Sequence, residues 1–358
     1  MENKILVINT GSTSTKLALY KDETPVFCET IRHPQAEMSR FDTILDQYEY
    51  RRKTVLDTLI IKNVDLKSID AVVGRGGLLH PMESGTYEIN DLMLAHLKDE
   101  GSAIHASKLS CILAHEIASG CGAPAFTVDP IVVDEMDDIA RITGCKDIRR
   151  YCIWHALNQK AVAKCYAEQR GEPYETLNLI VAHIGGGCTV GAHRKGRVVD
   201  VTNALSGEGP FTAERSGSLP ASEVAELFAS GKYGDINAFK YALNNKMGLV
   251  SLLGTNDGKA VQERVLHGDA EAEKVYRAMA YQIAKEIGAT AAVLRGTVDA
   301  VLLTGGFAYD RMFTGWIGEY VGFVAPVTVI PGEDEMAALA MGALRVLRGK
   351  ETIRQYKG

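Results

Sequence analysis

The sequence predicts an α/β protein built from two copies of one plan, with a ligand cleft between the copies. Three observations carry this prediction. Strand, small-residue turn, strand, polar turn and strand follow one another at residues 5–31 and again at 179–202. A buried strand closed by a glycine pair occurs twice, as DAVVGRGG (70–77) and DAVLLTGG (299–306). A further strand ending near a proline also occurs twice, as APAFTVDP (123–130) and APVTVIPG (325–332). Matched segments in the same order are the signature of a duplicated unit.

In the first copy, ILVIN is a continuous apolar run, suited to a strand covered on both faces; KLALY and PVFCETI follow across short polar turns. Residues 106–120 place Leu109, Ile112, Leu113 and Ile117 on one face of a helix. The polar segment CKDIRR (145–150) marks the expected division into domains 1–150 and 151–335, with a helix opening near His155. In the second copy LIVAHI, three glycines, CTVGAH and RVVDVT repeat the opening pattern. Residues 270–294 repeat Val275, Met279, Ile283 and Ile287 at helical spacing. The last helix, EMAALAMGALRVLR (335–348), is expected to pack back on the first domain with the rest of 336–358. The acidic run of Asp134, Glu135, Asp137 and Asp138 reads as a solvated helix start.

A chain of 358 residues exceeds one simple core. Its 46% hydrophobic and 23% charged composition is that of a globular protein. Net charge is −6 without a Lys/Arg run, which argues against a nucleic-acid partner. No signal segment and no apolar run of bilayer length are visible, so a cytoplasmic protein with no membrane partner is expected. The seven cysteines, odd in number and without a CxxC pair, are expected to be buried free thiols, and no zinc spacing occurs.

The turns carry the chemistry. Residues 9–16 read NTGSTSTK, a stretch rich in hydroxyls and free backbone N–H groups that can cradle a phosphate. Lys16 can reach back over the turn as a point charge. Gly185, Gly186 and Gly187 let the backbone approach a second phosphate, and Gly305 with Gly306 suit close packing on a nucleotide. Each feature also has a plainer reading: Ser and Thr are ordinary hairpin residues, and Lys16 a solvated edge charge. Neither a P-loop nor a dinucleotide fingerprint is present.

The run ILVINTGSTSTKLALY resembles the first phosphate motif of the acetokinase family, within the superfamily of actin, sugar kinases and the Hsp70 ATPase. VGRGGLLHP, VDPIVVDEM, HALNQKAVAK, VAHIGGGCTVGAHRKGRVVDV, NALSGEGPFTAERSGSLP, RAMAYQIAKEIGA and LTGGFAYD resemble the butyrate kinases, a branch of that family. The resemblance spans residues 5–348. It implies two RNase H-like (actin-like ATPase) domains and reversible, Mg²⁺-dependent phosphoryl transfer between ATP and a short-chain fatty acid. It also implies a homo-oligomer. Asn9, Ser12, Ser14 and Lys16 match the family's first phosphate loop. Arg75 matches an arginine on the acyl carboxylate or the transferring phosphoryl group. Asp129 matches an acidic residue at the reaction centre, His155 a transition-state histidine, and Arg215 a second active-site arginine. Gly185, Gly186 and Gly187 match the second phosphate loop, Gly305 and Gly306 the nucleotide turn, and Glu335 a magnesium-linked glutamate, with the adjoining Glu333 and Asp334 as alternatives for that role.

Departures from the acetate-specific pattern are Gly186, where acetate kinases have asparagine, and Gly76 with Gly77, where they have valines. The glycine pair is expected to enlarge the acyl pocket, with Trp154 as another wall. A carboxylate acceptor is ionised at neutral pH and needs no general base, so cation density is the expected catalytic demand. His105 and His183 read as structural histidines, and Asp129 could instead cap a turn before Pro130. A chaperone-like ATPase, a transcription regulator and a sugar kinase are the rivals. Neither a peptide-binding domain after these motifs nor a helix-turn-helix before the first strand is expected, and a hydroxyl acceptor would require a catalytic carboxylate.

Overall fold

The computed structural model describes residues 2–99 and 106–358; His105 lies outside them. The chain forms two compact units, Met1–Val133 with Asp334–Gly358, and Asp134–Glu333.

The first unit holds strands β1 (Lys4–Thr10), β2 (Ser14–Lys21), β3 (Thr24–Arg32), β4 (Ala71–Gly74), β5 (Thr86–Glu88) and β6 (Ala125–Val128). The second holds β7 (Asn178–Ile184), β8 (Cys188–Arg194), β9 (Arg197–Val201), β10 (Ala300–Thr304) and β11 (Val327–Val329). The two-residue β12 (Arg354–Gln355) returns to the first. The first sheet runs β12-β5-β6-β4-β1-β2-β3 and the second β11-β10-β7-β8-β9. Five strands therefore follow one order in both units: an antiparallel meander, then two strands parallel to its first member. The duplication predicted from the sequence is present in the topology, and the first unit adds β5 and β12 at one edge.

The principal helices are α1 (Tyr48–Ile61), α2 (Lys108–Cys121), α3 (Ala156–Arg170), α4 (Ala270–Val293), α5 (Arg311–Val321) and α6 (Glu335–Leu347). In the first unit both α2 and α6 pack against β1, β4 and β6. Cover from two helices explains why β1 and β4 read as unbroken apolar runs. In the second unit β7 separates two core layers by alternation. Ile180, Ala182 and Ile184 join the cluster containing Ile283 and Ile287 of α4, whereas Leu179 and Val181 join Val162 and Ala163 of α3. Among the described residues no helix is long and apolar enough to cross a membrane.

Two local expectations change. The acidic run is a solvated helix start only at its end, where Asp137 precedes and the exposed Asp138 opens a short 3-10 helix (Asp138–Arg141). Glu135 is instead buried, accepting from Lys160 Nζ (2.7 Å) and Val198 N (2.9 Å). Asp134 binds Arg141 Nη1 at 2.7 Å and Asp137 binds Arg194 Nη2 at 2.8 Å. These ties to second-unit residues explain why the units divide at 133/134, ahead of the polar segment at 145–150. The cysteines are all free, but only Cys111, Cys152 and Cys188 are buried, while Cys28 and Cys145 are exposed. The neighbours of Cys28 on the edge strand β3 do not enclose it.

Candidate active site

In the first unit the register of β1 with β2 pairs Asn9 with Lys16 and Thr10 with Thr15, leaving residues 11–13 as the turn. The carbonyls of Ser12, Thr13 and Ser14 are engaged. Ser12 O and Ser14 O accept from Arg51 (3.0 Å each), Thr13 O accepts from His33 N (2.8 Å), and Ser14 O also accepts from Gly11 N (2.8 Å). The N–H groups of Ser12 and Thr13 donate to no acceptor among the described residues, and both residues are exposed. Lys16 makes no ion pair among the described residues, so its charge is available at the turn.

Parallel strands β1, β4 and β6 end side by side, and ligands in α/β sheets bind beyond such carboxyl ends. Asn9 is near the end of β1, Arg75 follows β4 and Asp129 follows β6. Glu335, the first residue of α6, joins the first two: its Oε2 accepts from Asn9 Nδ2 (2.7 Å), and its Oε1 pairs with Arg75 Nη2. Arg75 Nε is buried without an acceptor. Asp129 does not join this cluster. Its Oδ1 accepts from Ser84 Oγ (2.6 Å) and Gly85 N (2.8 Å), which ties it to the loop before β5 rather than to its own turn. Its φ of +39°, immediately before Pro130, is a strained backbone of the kind that collects at functional sites.

The glycine pair after Arg75 does not enlarge a pocket. A Cβ on Gly76 would lie 2.8 Å from Thr127 Oγ1, and one on Gly77 2.9 Å from the Lys108 Cα. The space freed by the missing side chains is filled by neighbouring elements, and Gly76 also needs φ +77°. Trp154 is no open wall either. It is 1% exposed and meets His193 edge-on in the second unit's interior.

In the second unit the glycine turn closes through Gly185 N to Gly187 O (2.9 Å), and Thr212 Oγ1 donates to Gly186 O (2.6 Å). The guanidinium of Arg215 lies directly over Gly187, where a Cβ would fall 2.0 Å from Nη1. Arg215 Nη1 donates to Ala204 O (2.6 Å), its Nε is buried without an acceptor, and burial pulls its pKa below the ordinary arginine range. Gly305 (φ +91°) pairs through its N–H and C=O with Gly332, and a Cβ there would strike Ile184 O at 2.4 Å. Gly306 is exposed with open space above it.

His155 precedes α3 and stacks on His183, with ring centroids 3.9 Å apart. A buried chain of side chains leads to it. Gln159 Nε2 must donate, because it meets the carbonyl of Thr189 (3.0 Å), so Gln159 Oε1 accepts from His193 Nε2 (3.0 Å). His193 Nδ1 then accepts from the Tyr174 hydroxyl (2.6 Å). Gln159 Nε2 also donates to Thr189 Oγ1 (2.8 Å), leaving that hydroxyl to donate to His155 Nδ1 (2.9 Å). In this arrangement the proton of a neutral His155 sits on Nε2. His183 is oriented by Asn158 Oδ1 (2.8 Å), and burial, reinforced by Arg215, lowers its pKa to about 3. At neutral pH its 3.8 Å approach to Glu333 is therefore not an ion pair.

Three groupings thus emerge: Asn9 with Arg75 and Glu335, Gly187 with Arg215, and His155 with His183. The side chains of Ser12, Ser14 and Lys16 bond to none of the other candidates. Arg51, Thr212, Asn158 and Gln159 escaped the sequence reading. Asn158 and Gln159 lie in the quoted HALNQ run and Thr212 in the quoted TAERSG run, so adjacency to His155 and Arg215 was an available signal; Arg51 had none.

Residues 140–312 match the model of the acetokinase family. The chain is similar in structure to acetate kinase from Porphyromonas gingivalis, with TM-score 0.75 and 19% identity over 96% of this chain and 100% of that one. It is similar also to a propionate kinase from Francisella tularensis subsp. tularensis SCHU S4, with TM-score 0.73 and 19% identity over 94% and 98%. A ROK family protein from Streptococcus pneumoniae TIGR4 gives TM-score 0.54 and 12% identity over 97% and 99%. At such identities the likeness is one of fold, the duplicated α/β fold of actin-like ATPases.

Proposed function

We propose that this chain is a carboxylate kinase of the acetokinase family, catalysing reversible phosphoryl transfer between ATP and a short-chain fatty acid, with butyrate as the acid. The observation that carries the reading is a pair of arginines, Arg75 and Arg215, each beside a glycine turn and each with a buried Nε that lacks an acceptor. Each guanidinium keeps an unused donor, Arg75 beside its ion pair with Glu335, and an arginine fork matches carboxylate and phosphate oxygens.

A carboxylate oxygen attacks the γ-phosphorus in line as the bond to the ADP oxygen breaks. Acyl phosphate and ADP form, no proton changes hands, and no phospho-enzyme intervenes. Charge on the equatorial oxygens is the quantity to stabilise. Arg75, Arg215 and the Nε2–H of His155 serve that charge. The turn at residues 9–16, with Asn9, Ser12, Ser14 and Lys16, grips the transferring phosphoryl group. The N–H groups of Gly186 and Gly187 take nucleotide phosphates, and Gly305 and Gly306 leave room for the nucleotide. Asp129 is assigned to the reaction centre on the motif resemblance alone. Magnesium, when bound, neutralises nucleotide phosphate charge. Glu335 is the carboxylate assigned to it, an oxygen donor suited to Mg²⁺ whose two oxygens now serve Arg75 and Asn9. Among the described residues no cluster of three metal-ligating side chains exists.

The choice of butyrate rests on the motif resemblance, since the glycine pair opens no space. A cytoplasmic homo-oligomer belongs to the same reading. The test is acyl-hydroxamate formation with Mg-ATP across acetate, propionate, butyrate, isobutyrate, valerate and isovalerate. A kcat/KM maximum at butyrate supports the proposal. A maximum at isobutyrate or isovalerate makes the enzyme a branched-chain acid kinase, and no product with any acid overturns the class.

A further inference from the structure

Arg51 is fully buried, yet among the described residues no carboxylate pairs with it. It stands on α1 beneath the first turn, and every N–H it carries is directed. Nε and Nη2 donate to Gln47 Oε1 (3.0 and 2.9 Å), Nη1 to Ser14 O and Thr15 Oγ1 (3.0 and 3.1 Å), and Nη2 to Ser12 O (3.0 Å). Thr15 Oγ1, which receives one of these bonds, also meets His33 Nε2 at 2.9 Å. With Arg51 donating to the oxygen, the Thr15 hydrogen is free for a neutral imidazole. Burial and the Arg51 charge lower the His33 pKa to about 4, so near neutrality this network carries a single positive charge.

A buried charge without a counter-ion is costly, so such an arrangement persists only where something offsets it. Carbonyl dipoles do part of this. They also orient the turn: with Ser12 O and Ser14 O drawn to Arg51 and Thr13 O to His33 N, the N–H groups of Ser12 and Thr13 are left unspent and exposed. We propose that Arg51 makes this turn an anion site, fixing its carbonyls inward and lending it a buried positive charge whose counter-ion is the bound phosphoryl group. Arg51 touches no substrate, so it is a positioning residue. The inference rests on the phosphate turn of the proposed function but not on its acyl acceptor.

The test separates charge from shape. Gln47→Glu places a carboxylate where Arg51 already donates two bonds; it keeps the guanidinium in place and cancels its field. Arg51→Lys keeps the charge and loses the fork. Amide shifts of Ser12 and Thr13 are followed by TROSY NMR during titration of wild type and both variants with inorganic phosphate. The expected result is saturable binding in wild type and a Kd raised about tenfold in each variant, with shifts of β7 residues unmoved. An unchanged Kd in Gln47→Glu overturns the proposal, because a merely structural arginine is indifferent to, or steadied by, a carboxylate partner. Absence of saturable shifts in wild type overturns it as well. If Arg51→Lys fails to fold, Gln47→Glu carries the test alone. Phosphate binding at this turn in a wild-type protein that forms no acyl hydroxamate defeats the kinase reading and leaves this inference intact.

Discussion

Gly187 is defined by what lies above it. An alanine methyl there would sit 2.0 Å from Arg215 Nη1, so the guanidinium must leave. Gly187→Ala should lower kcat on the order of 100-fold with native circular dichroism, as loss of one oriented transition-state donor does. Arg215→Ala and Lys16→Ala should also lower turnover strongly, and a wild-type rate in either variant would remove that residue from the mechanism. Gly76 makes the opposite point about side-chain space. Gly76→Val should destabilise by about 2–3 kcal/mol, read from the urea midpoint, because its φ is positive and its Cβ meets Thr127.

At the level of elements, the carboxyl end of each parallel strand brings chemistry to a turn, and a neighbouring helix secures it. Helix α1 secures the first turn through Arg51, and α3 secures His155 through Gln159. Breaking the Gln159 relay releases both the ring and its tautomer. Gln159→Leu should reduce kcat far more than KM for ATP and alter the acidic limb of the kcat–pH profile. An unaltered profile with a reduced rate would mean that Gln159 only supports packing. Little of this was legible. The helix after HALNQ is plain from periodicity, but the path from Tyr174 through His193 to Thr189 joins residues from a turn, a helix and strand β8. No linear spacing encodes such a path.

The whole molecule has an acid-sensitive interior. His33 and His183 are held at about 4 and 3, and His193 well below its usual value, each mainly by burial. In the unfolded chain each titrates near 6.5. Between about pH 3 and 6.5 the unfolded state therefore binds more protons, so the stabilisation is complete above about 6.5 and is lost progressively as pH falls. Urea midpoints measured from pH 8 to 5 should be level at first and then decline. Linkage near pH 5.5 should approach three protons taken up on unfolding, about one per histidine. His193→Gln should flatten the decline, and a midpoint independent of pH over this range would contradict the burial of these rings.

The sequence by itself determined the duplicated plan, the strands and the places of the turns, because these follow from local rules. Continuous apolar runs such as ILVI and LIVAHI announce strands covered on both faces, and glycine or hydroxyl clusters announce where they end. The same local rules brought out the small-residue stretch from Asn9 to Lys16, and the motif resemblance brought out Arg75. Only the tertiary structure decided what each of these groups faces. It joined Glu335 to Asn9 and Arg75 across more than 250 residues of chain, filled the space beside Gly76 and Gly77, and gave Glu135 a buried lysine. It also set Arg51 under a turn about 40 residues away. Burial and hydrogen-bond partnership arise from packing between elements remote in the chain, and a residue's own neighbours in sequence carry no record of them.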